Sequence, residues 1–375
     1  MVDARRHEGA ARAMRRARLR LVASGVLVAA SLALRAALAH FGQALFPWWR
    51  QLSRAVASAQ AAVVGIVPFA LWDIGVAVLV MVLLVSLVRM LRARRSLVPW
   101  LSHVALAGSL TFALFVGWAL NHYAPPLATA IGLDVGASSV DELEDATRLY
   151  LTRAAELAPS VPREEDGTLS QQDFFELARI AGASYAPLAE RHDVFRGSQA
   201  PVKALLLWGE PLLYSGHTGI FWAPTGESGV PLNCSRVDMG FIMCHEAAHR
   251  LGLASEQEAN FAAFLACEAS DDARLAYSGH YHAFAYCFNA LYAADADRAV
   301  ALVNELAEDE TLNLGVYLVF VDRAANREHY ASYEGSFKKV GTAVNDGYLR
   351  SFGEAEGVRS YGLVVDYFIA WSKTA

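Results

Sequence analysis

Charge and cysteine are what this 375-residue chain has least of. Only 19% of its residues are charged against 55% hydrophobic, with a mean hydropathy of +0.27. That balance excludes a disordered chain, a collagen and a coiled coil, and a soluble enzyme seldom shows it. The cysteines Cys234, Cys244, Cys267 and Cys287 contain no C-x-x-C pair, which excludes a disulfide scaffold and a zinc ribbon, so a metal here must use other ligands. Internal repeats are absent, as are low-complexity tracts after the leader. Basic residues are outnumbered over most of the chain. Residues 1–100 hold 14 Lys+Arg and 3 Asp+Glu, net +11, which leaves 18 and 35, net −17, for residues 101–375. Duplex nucleic acid needs a basic face to displace counterions, and the acidic part offers none.

What is present is a membrane pattern. Leu19 to Ala39 is apolar apart from Arg20 and Arg35, whose long side chains snorkel. A cleaved signal peptide is the competing reading at Ala37-Leu38-Ala39, but Arg35 lies between the apolar core and that site. The second stretch, Ala55 to Val88, has Asp73 as its single acid and no Lys or Arg; Pro68 and Trp72-Asp73 mark its boundary, giving a span of about 74–91. The third, Leu101 to Leu120, has no charged residue and ends in an aromatic belt before Pro125-Pro126. Arginines crowd the leader and the loop with Arg89, Arg92, Arg94 and Arg95, whereas the first loop has only Arg50 and Arg54. By the positive-inside rule the leader and second loop are cytoplasmic and the chain after Tyr123 is extracytoplasmic. The expected organisation is a basic leader (1–18), a three-helix anchor (19–123, spans about 19–39, 74–91 and 101–120) and an outer domain (124–375).

In the outer domain, helical periodicity is expected from Val140 to Leu157, Gln171 to Ala181, Tyr286 to Leu306, Tyr317 to Tyr333 and Ser360 to Trp371. Ala204 to Trp208 reads as a strand and Ser215 to Glu227 as a hairpin or an edge strand with a turn. His245-Glu246-Ala247-Ala248-His249 then places two imidazoles one helical turn apart with Glu246 beside them. Residues four apart share a helix face, so both rings can hold one ion while the acid points at its open side. Gly252 stops that helix and Ser255 starts another, bringing a third ligand back. Glu256 is the first choice for it. Glu258 is the alternative, although its spacing from Ser255 is that of a capping box. Asn260, one turn after Glu256, is placed to orient a histidine.

These residues carry a resemblance. Glu256-x-x-Ala259-Asn260 after His245-Glu246-x-x-His249 resembles the ligand helix of gluzincin metallopeptidases. A wider set resembles the bacterial membrane-protein family called domain of unknown function 3810: Trp72-Asp73, Gly117-Trp118-Ala119-Leu120-Asn121-His122-Tyr123 with Pro125-Pro126, Pro224-Thr225-Gly226-Glu227, His245 to His249, Glu258-Ala259-Asn260-Phe261, Tyr277-Ser278-Gly279, and Gly357-Val358 with Ser360-Tyr361-Gly362. One departure is Ala119, where glycine is expected. The resemblance implies a mainly α architecture, three transmembrane helices followed by a gluzincin-like α+β extracytoplasmic zinc-peptidase domain.

The expected function is therefore a membrane-anchored zinc metallopeptidase acting on a peptide or protein substrate. His245, His249 and Glu256 would hold Zn2+, and Glu246 would serve as general base. The reading from another class is a non-catalytic envelope protein that keeps zinc or peptide binding. Tyr281, Tyr361 and the histidines His217, His280 and His282 are candidates for an oxyanion donor, and Glu227 for a turn or cleft residue. Cys244 and Cys267 read as buried thiols. The topology is tested by reporter fusions. A fusion after residue 130 is expected to be active only with a periplasm-type reporter, and one near residue 96 only with a cytoplasmic reporter; the reverse pattern removes the three-span arrangement.

Overall fold

The computed structural model describes residues 2–93, 96–352 and 364–374. Among these the chain is mainly helical and divides into two compact units, Met1–Ser53 with Trp72–Ala124 and Arg54–Leu71 with Pro125–Ala375. Residues 54–71, apolar enough to count with the anchor by hydropathy, thus belong with the second unit.

The first unit holds α1 (Val2–Val64) as far as Ser53, α2 (Leu71–Arg92) from Trp72 and α3 (Val98–Ala119). Three stretches are long and apolar enough to cross a membrane, Ala11–Gly42, Leu71–Arg92 and Val98–Tyr123, and each contains one of the expected spans. Helix α1 is not continuous: Phe41 leaves helical geometry (φ −122°, ψ 27°) a few residues before Pro47. Proline supplies no N–H and its ring collides with the carbonyl four residues back, which kinks a helix there. Leu38, Phe46, Trp49, Val116 and Leu120 pack around the kink, and Asn121 Nδ2 donates to Ser53 Oγ at 3.1 Å.

The second unit begins with α4 (Leu127–Ile131) and α5 (Val140–Leu157), followed by α6 (Phe174–Ala183), α7 (Ala186–Arg191) and α8 (Gly209–Tyr214). After a small sheet come α9 (Met239–Arg250), α10 (Glu256–Glu268), α11 (Ala273–Ala294), α12 (Ala296–Glu308), α13 (Asn313–Ala331), α14 (Ser336–Ser351) and α15 (Val364–Ser372). The start of α5 is fixed by a true capping box between Ser139 and Glu142. Its inner face carries Tyr150, which meets Phe264 and Phe368 edge-on and donates its hydroxyl to the Phe368 carbonyl at 2.8 Å. The single helix expected over 286–306 is two: Asp295 ends α11 and caps α12 by accepting the Arg298 N–H. Deep in this unit the buried Asp322 carboxylate takes both ends of the Arg163 guanidinium, at 3.0 and 3.2 Å, and the Tyr277 hydroxyl.

The sheet has the order β1-β3-β2, with β1 at Lys203–Leu205, β2 at Ile220–Trp222 and β3 at Glu227–Pro231. β2 and β3 form the expected hairpin, antiparallel with Trp222 opposite Glu227, whereas β1 runs parallel to β3. The far edge of β1 is taken by the chain just before α2. Ala204 N donates to Pro68 O at 3.1 Å and Ala204 O accepts from Ala70 N at 2.9 Å.

One carboxylate corrects the expectation made of it, and a second has partners that the sequence did not show. Glu258 does not close a capping box, and Ser255 makes no side-chain cap bond. Glu258 instead accepts the Leu127 N–H that opens α4, at 2.7 Å, and the Tyr367 hydroxyl, at 3.3 Å. Glu227 is buried, 1% exposed, and its carboxylate accepts the N–H of Leu71, where α2 begins, and the Thr225 hydroxyl, both at 2.8 Å. In each case an orphan donor at a helix start claims the acid. Replacing Glu258 by Ala is expected to cost about 1–3 kcal/mol by stranding a buried N–H, and Ser255→Ala to be nearly neutral. Thermal unfolding of both variants in detergent checks this; the reverse ranking contradicts the assignment.

Candidate metal centre

The His-Glu-x-x-His segment lies on α9, whose start is held by Asp238 O accepting from Ile242 N at 2.9 Å. Gly252 adopts a left-handed conformation (φ +88°) that a side chain disfavours, and the chain reverses there. The reversal delivers two things. It returns α10 past α9, and it aims the Leu253 carbonyl at His249, whose Nδ1 lies 2.7 Å away. A carbonyl only accepts, so Nδ1 keeps a proton and Nε2 is the nitrogen that presents a lone pair once the ring is neutral.

His245, His249 and Glu256 come together so that one ligand atom from each lies within 4.8 Å of the others. Nε2 of His249 is 3.1 Å from Nε2 of His245, and Glu256 Oε2 is 3.2 and 3.8 Å from the two rings. The rings stand nearly perpendicular, at 89°. Burial opposes ionisation of Glu256, but hydrogen bonds and charge from the two histidines outweigh it and hold its carboxyl well below the usual range. Burial alone lowers His249, yet Glu256 and Glu246 overcome it and the ring is pushed up to about 9; in His245 burial wins and the ring is lowered. Asn260 is buried near the His245 ring, and its Nδ2 and the His245 Nδ1 have no hydrogen-bond partner among the described residues. Two nitrogens and a carboxylate oxygen converging from two helices could hold a metal ion.

Glu246 is 4% exposed, and its Oε2 has no hydrogen-bond partner among the described residues. Burial, opposed by His249 and helped by Glu256, pushes its carboxyl up to about 8. Gly219, just before β2, makes room for it: a Cβ there would lie 2.7 Å from Glu246 Cγ. Ser228 on β3 holds the same residue from behind, donating its hydroxyl to the Glu246 carbonyl at 2.6 Å.

The other sequence candidates separate. His217 belongs to the loop over the site and feels the charge of Glu256. Ser215 Oγ donates to Leu212 O at 2.6 Å, so the 2.9 Å contact to His217 Nδ1 must be donated by the ring, which leaves Nε2 as its acceptor. His282 stacks on Phe241 at 3.9 Å with its Nε2 3.0 Å from Asp238. His280 lies in the core against Tyr150 and Phe264, and Tyr281 is buried with its hydroxyl 3.5 Å from Asn326. Tyr361 falls outside the described residues. Tyr286 was not singled out by sequence: one turn after His282, it feels the charges of Glu256 and Asp238 as well as burial, and all three raise its pKa. A tyrosine at an ordinary helix spacing gives no local signal of this. All four cysteines are buried and unpaired.

No curated protein and no solved structure matches the chain. Residues 48–369 match the family model described as Protein of unknown function (DUF3810), a range that takes in the second and third candidate spans, the sheet and the group of His245, His249 and Glu256. The chain belongs to the DUF3810 family.

Proposed function

We propose that the protein is a membrane-anchored zinc metallopeptidase whose site lies on the extracytoplasmic side. The observation that carries this reading is the position of Glu246, a buried carboxyl with an oxygen unclaimed by protein, next to three converging ligands. A purely structural metal site has no use for such a group. His245, His249 and Glu256 would hold the ion; when bound, zinc supplies Lewis acidity toward a water and a substrate carbonyl.

The remaining chemistry belongs to the chain. Glu246, poised by burial near neutral pH, accepts a proton from the attacking water and returns it to the leaving amine. Tyr286 on α11, which feels the charge of Glu256, carries a hydroxyl that can donate to the reacting carbonyl oxygen, whereas the acceptor Nε2 of His217 cannot. β2 pairs on one side with β3, and Gly219 sets its start against Glu246. An extended peptide adding to the other side would meet the base along its backbone.

Glu246→Gln keeps the shape and removes the base. It is expected to retain zinc and helical content while losing at least the ~10²-fold rate typical of a general base, measured by cleavage of a peptide library beside wild type. A wild type that holds zinc and cleaves nothing favours the non-catalytic binding protein.

Metal loading has its own signature. With His249 raised to about 9, the metal-free site holds a proton at neutral pH that zinc must displace. Calorimetric titration in buffers of different ionisation enthalpy is expected to show about one proton released per zinc, with affinity falling about tenfold per pH unit as pH drops below 9. His249→Ala or Glu256→Ala is expected to lose the metal, and Glu258→Ala to keep it.

A further inference from the structure

Between the first two candidate spans, after the kink at Phe41, α1 continues to Val64. This stretch has two unlike sides. One side is bound to the outer domain. Arg54 reaches Asp193 at 2.8 Å, Gln60 Nε2 donates to the carbonyls of Ala223 and Pro224, both at 3.0 Å, and Lys203 Nζ donates to Val64 O at 2.7 Å. Ala61 and Val64 are buried on the same side. The other side holds Trp48, Leu52, Val56, Ala59 and Val63, which fall within an arc of about 80° at 100° per residue. Trp48 is 59% exposed, Leu52 41%, Val56 41% and Val63 70%, and Ile66 in the following turn is 85% exposed.

We infer that residues 43–66 form an amphipathic helix and turn lying in the bilayer interface, with this apolar arc sunk among the lipids and the opposite side carrying the outer domain. Chain continuity argues for lipid as the occupant. If the helices ending at Gly42 and starting at Leu71 both cross the membrane, the intervening chain begins and ends at the same surface. An upright helix over 43–64 would rise about 33 Å, whereas the residues from 65 to 71 reach back about 25 Å even when fully extended. They are not extended, since Gly65 N still donates to Ala61 O at 2.8 Å. An upright helix therefore fails to satisfy both ends, and a helix lying along the surface satisfies them. Its lower side then meets the headgroup and acyl boundary, where tryptophan and aliphatic side chains belong and where no charged residue stands on the arc.

The same arrangement accounts for the Pro224-Thr225-Gly226-Glu227 turn, which the metal chemistry leaves unused. Gly226 has a positive φ of 68°, and a Cβ there would lie 2.8 Å from Gln60 Oε1. The turn is a saddle on the interfacial helix, and its last residue, Glu227, holds the N–H of Leu71 where the chain re-enters the bilayer.

The test is independent of any peptidase activity. Nitroxide labels are placed at Val56→Cys, Val63→Cys and, as a water-facing reference, the exposed Glu310→Cys in the full-length protein in liposomes; the native cysteines are buried and do not compete. The expected result is collision with oxygen several times that with a water-soluble nickel chelate at positions 56 and 63, and the reverse at 310. Nickel access at either position equal to that at 310 overturns the inference in favour of a water-facing helix. Shielding from both reagents overturns it in favour of a protein partner covering the arc.

Discussion

The Leu253 carbonyl, 2.7 Å from His249 Nδ1, does two jobs that the whole centre relies on. It fixes which ring nitrogen is free, and it can be there only because Gly252 turns the chain through a backbone conformation closed to most residues. The same turn returns Glu256 to the two imidazoles. Ligand orientation and ligand supply thus share one constraint, and the burial of α9 and α10 on both sides leaves the backbone no room to drift from it.

Burial also sets the division of labour among the acids. Four carboxylates, Glu227, Glu246, Glu256 and Glu258, are withdrawn from water in this part of the fold, and each meets a different partner. Glu227 and Glu258 take the N–H groups opening α2 and α4. Glu256 is stabilised as an anion by two histidines, and Glu246 has no comparable support, so its proton is held far more tightly. Neighbouring carboxyls pushed in opposite directions are a recurring arrangement of acid and base chemistry.

The three helices apolar enough to cross a membrane and the mainly helical character were legible because hydropathy is a local property of the chain. So were the hairpin and the grouping of His245, His249 and Glu256, since helical spacing and a glycine stop determine which side chains can meet. What escaped was tertiary. The Ser255 to Glu258 spacing describes a capping box, but a donor 131 residues away outbids the local one. Tyr286 and the Asp238 with His282 pair depend on how α11 lies against α9, which no periodicity encodes. The stretch 54–71 was apolar enough to merge with a span, while its attachments to Lys203, Ala204 and Glu227 are invisible until the sheet exists.

That attachment decides where the protein can be cut. A fragment beginning at residue 124, the boundary hydropathy suggests, removes the segment that pairs with Ala204 and the carbonyls that receive Lys203. β1 would be left with a raw edge, a buried ammonium would lose its acceptors, and the Glu227 carboxylate would lose the Leu71 N–H. Unpaired edges recruit other chains, so such a fragment would be sticky for reasons unrelated to its membrane helices. The second unit is discontinuous in sequence, so a fragment that keeps these bonds needs residues 54–71 supplied alongside residues 125–375, through a short linker that replaces α2 and α3.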